Sequence, residues 1–404
     1  MRLAFAVLLA IAAPLLAAQR AVSPPATSPV RAATPLVPAD HLVQRLPDAL
    51  RAKLATDPYV YFRFINVQWE RAACEQFADI LPVLPRVRLH GDPHLEQYAF
   101  TSSGRGIDDF DDSATGPFVL DLTRFMASIR LALAARGWSA DTERATDAFL
   151  AGYRLAFRDP QYLPPDPAVV SRLRARRPRS RAEFLAWADG LMLPLAPEYK
   201  RWVPAAASVI DAAGRRAMPG APPGYFTVKK AGRLSLGVGS ALTVKALFRL
   251  EGSTPRDDDD LMVEAKVAGD LSEVPCLTVV RSPAFRVVRG AEQIGRLHYD
   301  LLTVLPRLDP ANADRPETWW LRSWEPTYQE VDVADYASAD ELVEVAHDVG
   351  AQLGRGHFDS AGSIPLGEGL QLFDRFEARV RHVAESQTAQ MLADWAAFAA
   401  RTGR

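Results

Sequence analysis

The sequence predicts an α+β fold in which helices come first, a small antiparallel sheet follows and helices close the chain. Apolar residues recur at helical spacing through residues 120–135 and 141–157, and again through 339–354 and 370–400. Between these stretches, residues 225–267 alternate β-prone runs with a glycine turn and an acidic turn, which indicates short paired strands. Separate runs of helices and strands are typical of α+β proteins.

Composition limits the size and the partners of this fold. The 404 residues, with near-average apolar and charged fractions, are enough for one two-lobed domain or for two domains. The formal net charge of −2 argues against a broad nucleic-acid-binding surface, so no nucleic-acid partner is expected. Cys74 and Cys276 form no metal-ligand pattern. They could form a single disulfide, but their spacing cannot decide whether they meet.

Residues 1–18 have the features of a secretory signal peptide, with Arg2, an apolar run and small residues at its end. The run is short for a membrane span, which needs about 20 apolar residues. We therefore expect removal of the leader and export to the periplasm or the extracellular space. The alternative is an uncleaved leader that anchors the chain in the membrane. Residues 19–40 have the composition of a flexible linker, and no membrane span is expected after leader removal.

The remaining elements follow along the chain. Residues 40–78 carry two helical patterns, which Pro82 and Pro85 bring to an end. A further helix is predicted to begin near Arg181. Short strands are predicted at 87–90, 106–110, 226–236, 243–250, 261–267, 279–289 and 319–324.

Two acidic segments carry the strongest chemical signal. The first acidic loop, residues 90–97, reads HGDPHLEQ, and the second acidic loop, residues 107–112, reads IDDFDD. Several carboxylates at strand ends are electrostatically costly unless a cation joins them, and Mg²⁺ favours a few carboxylates together with phosphate oxygens. The alternative is that both segments are acidic turns and that Asp121 caps the helix after them. Their order and spacing together favour the functional interpretation.

A glycine hairpin, residues 237–240, joins two of the predicted strands. Gly237 and Gly239 allow a positive φ, so that backbone amides near Ser240 can approach a phosphate closely. Lys266, near the end of a following strand, could neutralise phosphate charge. The alternatives are a plain turn and an exposed edge-strand lysine. Glu264, two residues earlier on the same face, could pair with Lys266 and compete with a phosphate.

These motifs together resemble a known group of enzymes. The two acidic loops are similar to the catalytic and metal-binding loops of aminoglycoside-phosphotransferase-like kinases. The chain more closely resembles the bacterial family called domain of unknown function 2252, over residues 61 to 361. Besides the acidic loops, the resemblance rests on YFR at 61–63, GPF at 116–118, DL at 121–122, LGVGS at 236–240, EAK at 264–266 and LGRGH at 353–357.

The resemblance implies a kinase-like phosphotransferase that uses ATP and Mg²⁺ on an unknown acceptor. It makes Asp92 the catalytic carboxylate, Asp109 a metal ligand and Asp111 a weaker second one. Gln97 stands where the family has a metal-binding Asn, and its amide oxygen lies one methylene further out. The glycine hairpin and Lys266 would bind the nucleotide. The alternatives are an exported pseudokinase that binds nucleotide as a scaffold, and nucleotidyl transfer on the same fold.

The chain order differs from that of ordinary kinases, in which the glycine loop and lysine precede the catalytic loop. Here the acidic loops come first, so the resemblance implies a circularly permuted, two-lobed fold. The kinase-like domain would span residues 41–404. Its large helical lobe would take residues 41–220 and 331–404, and its small sheet lobe residues 221–330.

Overall fold

The structure is a computed structural model. It describes residues 35–402 except 160, 177–179, 196, 201–202, 235–244, 279, 281, 306–318 and 361–365. The chain from Pro35 onward forms one compact α+β unit. Within the described ranges, no helix combines the length and the apolar composition needed to cross a bilayer.

Helices form most of this unit. They are α1 (Ala39–Arg45), α2 (Asp48–Thr56), α3 (Pro58–Phe64), α4 (Asn66–Gln76), α5 (Val119–Ala135), α6 (Thr142–Arg158), α7 (Ala168–Arg174), α8 (Arg181–Gly190), α9 (Pro197–Lys200), α10 (Val203–Ala217), α11 (Pro283–Gln293), α12 (Ala339–Ser360) and α13 (Leu366–Thr402). The strands are β1 (Arg86–Leu89), β2 (Tyr98–Phe100), β3 (Arg105–Ile107), β4 (Ala114–Pro117), β5 (Met192–Leu193), β6 (Val228–Leu234), β7 (Lys245–Leu250), β8 (Leu261–Val267), β9 (Leu302–Leu305), β10 (Trp319–Ser323) and β11 (Gln329–Glu330).

The largest sheet is antiparallel, with strand order β5-β6-β7-β8-β10-β9. Strand β8 lies inside it, and Lys266 pairs with Lys245 on β7 and with Trp320 on β10. Lys266 is therefore a buried residue of a central strand and not an exposed edge lysine. Successive residues of β8 face opposite sides of the sheet, which places Glu264 and Lys266 on one face.

Helix α5 lies at the centre of the helical part. Every residue from 119 to 133 is buried except Arg130, so the helix is covered on all sides. It packs on α4, α6 and α13. Beside it, α6 and α12 approach so closely that a Cβ added to Gly152 would lie 2.1 Å from the carbonyl oxygen of His347. This contact fixes α12 against α6.

One predicted strand is wrong. Residues 279–289 are predicted from the sequence to form a strand, but the chain forms helix α11 from Pro283 to Gln293. Proline is favoured in the first turn of a helix. Ala284, Val287, Val288 and Ala291 are buried at helical spacing, so the apolar period overrides the β propensity of the valines.

A disulfide joins Cys74 of α4 to Cys276, which lies between β8 and α11. The two cysteines are 202 residues apart in sequence. Closing so long a loop restricts the unfolded chain and thereby favours the folded one. The structure thus decides the pairing that the sequence leaves open.

Candidate active site

A cavity of about 860 Å³ lies between the large sheet and the two acidic loops. Its lining includes five of the residues that the sequence singles out, namely Asp92, Gln97, Asp109, Asp111 and Lys266. The other three, Gly237, Gly239 and Ser240 of the glycine hairpin, lie outside the described residues. The described residues on either side of that gap, Leu234 and Lys245, line the same cavity.

Asp121 of α5 holds the backbone of the first acidic loop by hydrogen bonds. Its carboxylate accepts hydrogen bonds from the amides of His90, at 2.7 Å, and Gly91, at 3.0 Å. His357 Nε2 of α12 lies 3.0 Å from the same carboxylate. Gly91 has a φ of 91°, and a Cβ there would lie 1.9 Å from the carbonyl oxygen of Asp112. Only glycine permits this contact between the two loops.

Asp92 is held by an arginine that the sequence analysis missed. Arg124 Nε donates to Asp92 Oδ1 at 2.7 Å, and the guanidinium carbon lies 3.5 Å from the ring centroid of Phe62. Burial raises the pKa of Asp92 to about 7, although Arg124 opposes the shift. A carboxylate with this pKa is suited to accept a proton near neutral pH. The available signal for Arg124 was a charged residue within the apolar stretch of α5.

Lys266 joins the sheet to the second acidic loop. Its Nζ donates to Asp109 Oδ1 at 3.1 Å and to Asp111 Oδ2 at 3.2 Å. Trp320 Nε1 donates to the other oxygen of Asp111 at 3.0 Å. Burial disfavours the ammonium, but the two aspartates outweigh it and raise the pKa of Lys266 above its usual range. Lys266 is therefore a permanent positive charge in the cavity wall.

The two aspartates beside Lys266 differ in charge state. Burial would raise the pKa of Asp109, but Lys266, Arg322 and Lys245 together lower it well below its usual range. Burial and the neighbouring Asp109 raise the pKa of Asp111. Asp109 is thus the stronger anion of the pair.

The backbone of Asp109 lies in the left-handed region, with a φ of 65°. Residues other than glycine seldom adopt this conformation, and Asp and Asn are among those that tolerate it best. Such departures cluster at binding and catalytic sites, where the surrounding structure maintains them. In this conformation the carboxylate of Asp109 reaches Lys266 across the cavity.

Glu264 is not the main partner of Lys266. Its Oε1 lies 3.8 Å from Lys266 Nζ, further than either aspartate oxygen. Its other oxygen accepts from Trp324 Nε1 at 3.1 Å and from Arg322 Nε at 3.3 Å. Arg322 also donates to Asp108 at 2.6 Å. Glu264 is therefore held by its own partners, and the competition that the sequence suggests is weak.

The oxygen ligands in the cavity suit a hard cation. Gln97 is 9% exposed, and its Oε1 is buried with no hydrogen-bond partner among the described residues. Together with Asp109 and Asp111 it offers two carboxylates and one amide oxygen. Mg²⁺ is held by one or two carboxylates together with waters and substrate phosphates, so the donor set fits it. Within the described ranges, no group of three or more His, Cys, Asp or Glu side chains could hold a metal ion by itself.

Comparison with known proteins gives one match. No curated protein and no solved structure matches this chain. The profile of a bacterial family described as "uncharacterized protein conserved in bacteria" matches residues 43–185 and 212–401, which is more than half of the sequence. The chain therefore belongs to the bacterial family of domain of unknown function 2252.

Proposed function

We propose that this protein is a nucleotide- and Mg²⁺-dependent phosphotransferase that acts on a hydroxyl or amine acceptor. One observation carries the proposal: Lys266, on a central strand of the sheet, reaches Asp109 and Asp111 in the wall of a cavity that also contains Asp92. Kinases place a strand lysine, metal-binding carboxylates and a catalytic aspartate around one triphosphate in this way.

The strand arrangement supports a kinase-like fold. In kinases the glycine-rich loop covers the phosphates and the lysine lies on the third strand of the small lobe. Here β6 and β7 flank the glycine hairpin in sequence, and β8 carries Lys266. The acidic loops precede this sheet, and α12 and α13 return to pack on α5 and α6. We propose on this basis a circularly permuted kinase-like fold, with a helical large lobe and a sheet-based small lobe.

The chemistry follows from the positions of the side chains. Asp92, oriented by Arg124, would accept or orient the proton of the attacking hydroxyl. Lys266 would hold phosphate oxygens with its fixed charge. Asp109, Asp111 and Gln97 would hold Mg²⁺, which neutralises charge on the transferred phosphoryl group. Lys266 Nζ and Trp320 Nε1 now occupy oxygens of Asp109 and Asp111, so Mg²⁺ and the phosphates would replace some of these contacts when they bind.

A second candidate function is nucleotide binding without turnover. Gln97 in place of the family's Asn favours it, because one extra methylene moves the amide oxygen relative to the metal. The buried Gln97 Oε1, which accepts no hydrogen bond within the described part of the chain, argues the other way, since it leaves an oxygen ready to bind a cation. We therefore place catalysis first.

Calorimetric titration of the protein with ATP, with and without Mg²⁺, tests the proposal. We expect binding that requires Mg²⁺, together with slow nucleotide hydrolysis. Gln97→Asn should leave Mg²⁺-dependent binding unchanged or weaken it, because the surrounding residues already fit the longer side chain. If Gln97→Asn instead binds Mg²⁺–ATP more tightly than the parent, the metal site has lost its catalytic form. Nucleotide binding without turnover is then the better proposal. Failure of the parent to bind ATP under either condition would reject both.

We also propose that the protein is exported. The leader at residues 1–18 motivates this, and the disulfide between Cys74 and Cys276 supports it, because disulfides persist mainly in oxidising compartments. N-terminal sequencing of the protein from its native host should give a mature chain that starts soon after Ala18. A cytosolic chain that retains Met1 would contradict export.

A further inference from the structure

Near the acidic loops lies the buried carboxylate of Glu70, which has no role in the proposed mechanism. Glu70 of α4 is 2% exposed, and neither of its carboxylate oxygens has a hydrogen-bond partner among the described residues. Asn66, one helical turn earlier on the same face, is 4% exposed, and its Oδ1 is likewise unpartnered. Three buried acceptor oxygens on one face of this helix thus receive no hydrogen bond from any residue that the structure describes.

The surroundings add negative charge. Burial raises the pKa of Glu70, and so do the carboxylates of Asp112, Asp121 and Asp92, while Arg124 opposes them. Described residues give each of these three aspartates a hydrogen-bond donor: Asn66 Nδ2 for Asp112 at 2.9 Å, backbone amides for Asp121, and Arg124 for Asp92. Glu70 has none, although buried polar groups in native proteins are nearly always satisfied.

A single proton does not resolve this arrangement, since it would let one Glu70 oxygen donate to at most one other acceptor and would leave at least one of the three oxygens without a partner among the described residues. A cation would satisfy several oxygens at once. An all-oxygen set of carboxylate and amide groups is the type that binds Ca²⁺ or Mg²⁺. Asn66 and Asp112 line the large cavity, so an ion has a route to the site.

We propose that Glu70, Asn66 and Asp112 form a second cation site, distinct from the Asp109–Asp111–Gln97 set and selective for a hard divalent ion. Its role is structural. Asn66 Nδ2 donates to the carbonyl of Gly91 at 3.0 Å as well as to Asp112, so it joins the two acidic loops. An ion held here would lock both loops against α4.

Thermal unfolding of chelator-treated protein, titrated with Ca²⁺ and without nucleotide, tests the site. The titration is done on Asp109→Asn, so that Ca²⁺ binding to the Asp109–Asp111–Gln97 set contributes little to the change in melting temperature. We expect Ca²⁺ to raise the melting temperature of Asp109→Asn nearly as it does that of the parent. Adding Glu70→Gln should weaken the apparent affinity by at least the roughly 10- to 100-fold that loss of an outer partner of a metal site costs. Glu75→Gln, an exposed glutamate of the same helix, is the matched control and should change nothing.

Glu70→Gln should fold without the ion, because it removes a buried negative charge and keeps the shape of the side chain. Asn66→Asp adds a carboxylate and should tighten Ca²⁺ binding, which gives a second and opposite readout. Any one of three results would overturn the proposal. These are a failure of Ca²⁺ to stabilise Asp109→Asn, Ca²⁺ binding by Glu70→Gln that equals that of its parent, and Ca²⁺ binding by Asn66→Asp that is no tighter. The readout needs neither nucleotide nor turnover, so the site can fail or stand independently of the phosphotransferase proposal.

Discussion

Asp92→Asn is expected to lower the Mg²⁺-dependent turnover of nucleotide by about 10²- to 10⁴-fold, the usual contribution of a positioned acid or base. The amide cannot accept a proton, but its oxygen can still receive the hydrogen bond from Arg124 Nε. Nucleotide affinity should therefore stay within a few-fold of the parent. Single-turnover kinetics and calorimetry on the same preparation separate the two quantities.

The pH dependence of the rate gives the control for this assignment. Burial raises the pKa of Asp92 to about 7, so the carboxylate is protonated and inactive as a base below that pH and active above it. The value of kcat/KM should rise as the pH passes through about 7, and the residual rate of Asp92→Asn should lack that rise. If the rise persists in the variant, another group such as Asp111 is responsible.

Asp109→Asn is expected to weaken Mg²⁺–nucleotide binding by at least about 10- to 100-fold, since the loss of a direct ligand should cost no less than the loss of an outer partner. Asp109 is the stronger anion of the pair beside Lys266, so the metal would lose a full charge. Asparagine tolerates the left-handed backbone at this position, whereas alanine would add strain. Calorimetric titration with Mg²⁺–ATP measures the effect.

Asp258→Asn serves as the matched control, because Asp258 lies in the acidic turn before β8 and its side chain is 49% exposed. It should bind Mg²⁺–ATP as the parent does. Equal affinity in Asp109→Asn and the parent would show that the metal assignment is wrong and that Asp109 serves only as an ion-pair partner of Lys266.

Local patterns in the sequence were enough for much of the fold. The bounds predicted for β8, residues 261–267, are those observed, and the helix predicted at 120–135 differs from α5 by one residue. These elements have strong periodicity and clear ends. The failure at α11 arose where β-branched residues occur at helical spacing and propensity conflicts with period.

In the candidate site, too, some residues could be predicted from the sequence and others could not. Asp92, Asp109 and Lys266 stand in motifs, and the structure brings them to one cavity. Their partners carry no such signal. Arg322 lies 214 residues after Asp108, and Lys266 lies 157 residues after Asp109. Contacts at such separations depend on how the sheet and the helices pack together, and the spacing of charged residues along one chain does not encode them.

The disulfide has a consequence for how the protein is made. Cys74 and Cys276 are the only cysteines in the chain, so oxidation within one molecule has a single possible product. Cys74 leaves the ribosome about 200 residues before its partner, and until Cys276 arrives it can react only with other molecules. The bond can therefore form only after the chain through β8 has been synthesised, whereas α11, β9, β10, α12 and α13 come later in the sequence. The yield of correctly oxidised protein should then depend on dilution of the nascent chains more than on any isomerase that reshuffles wrong pairs.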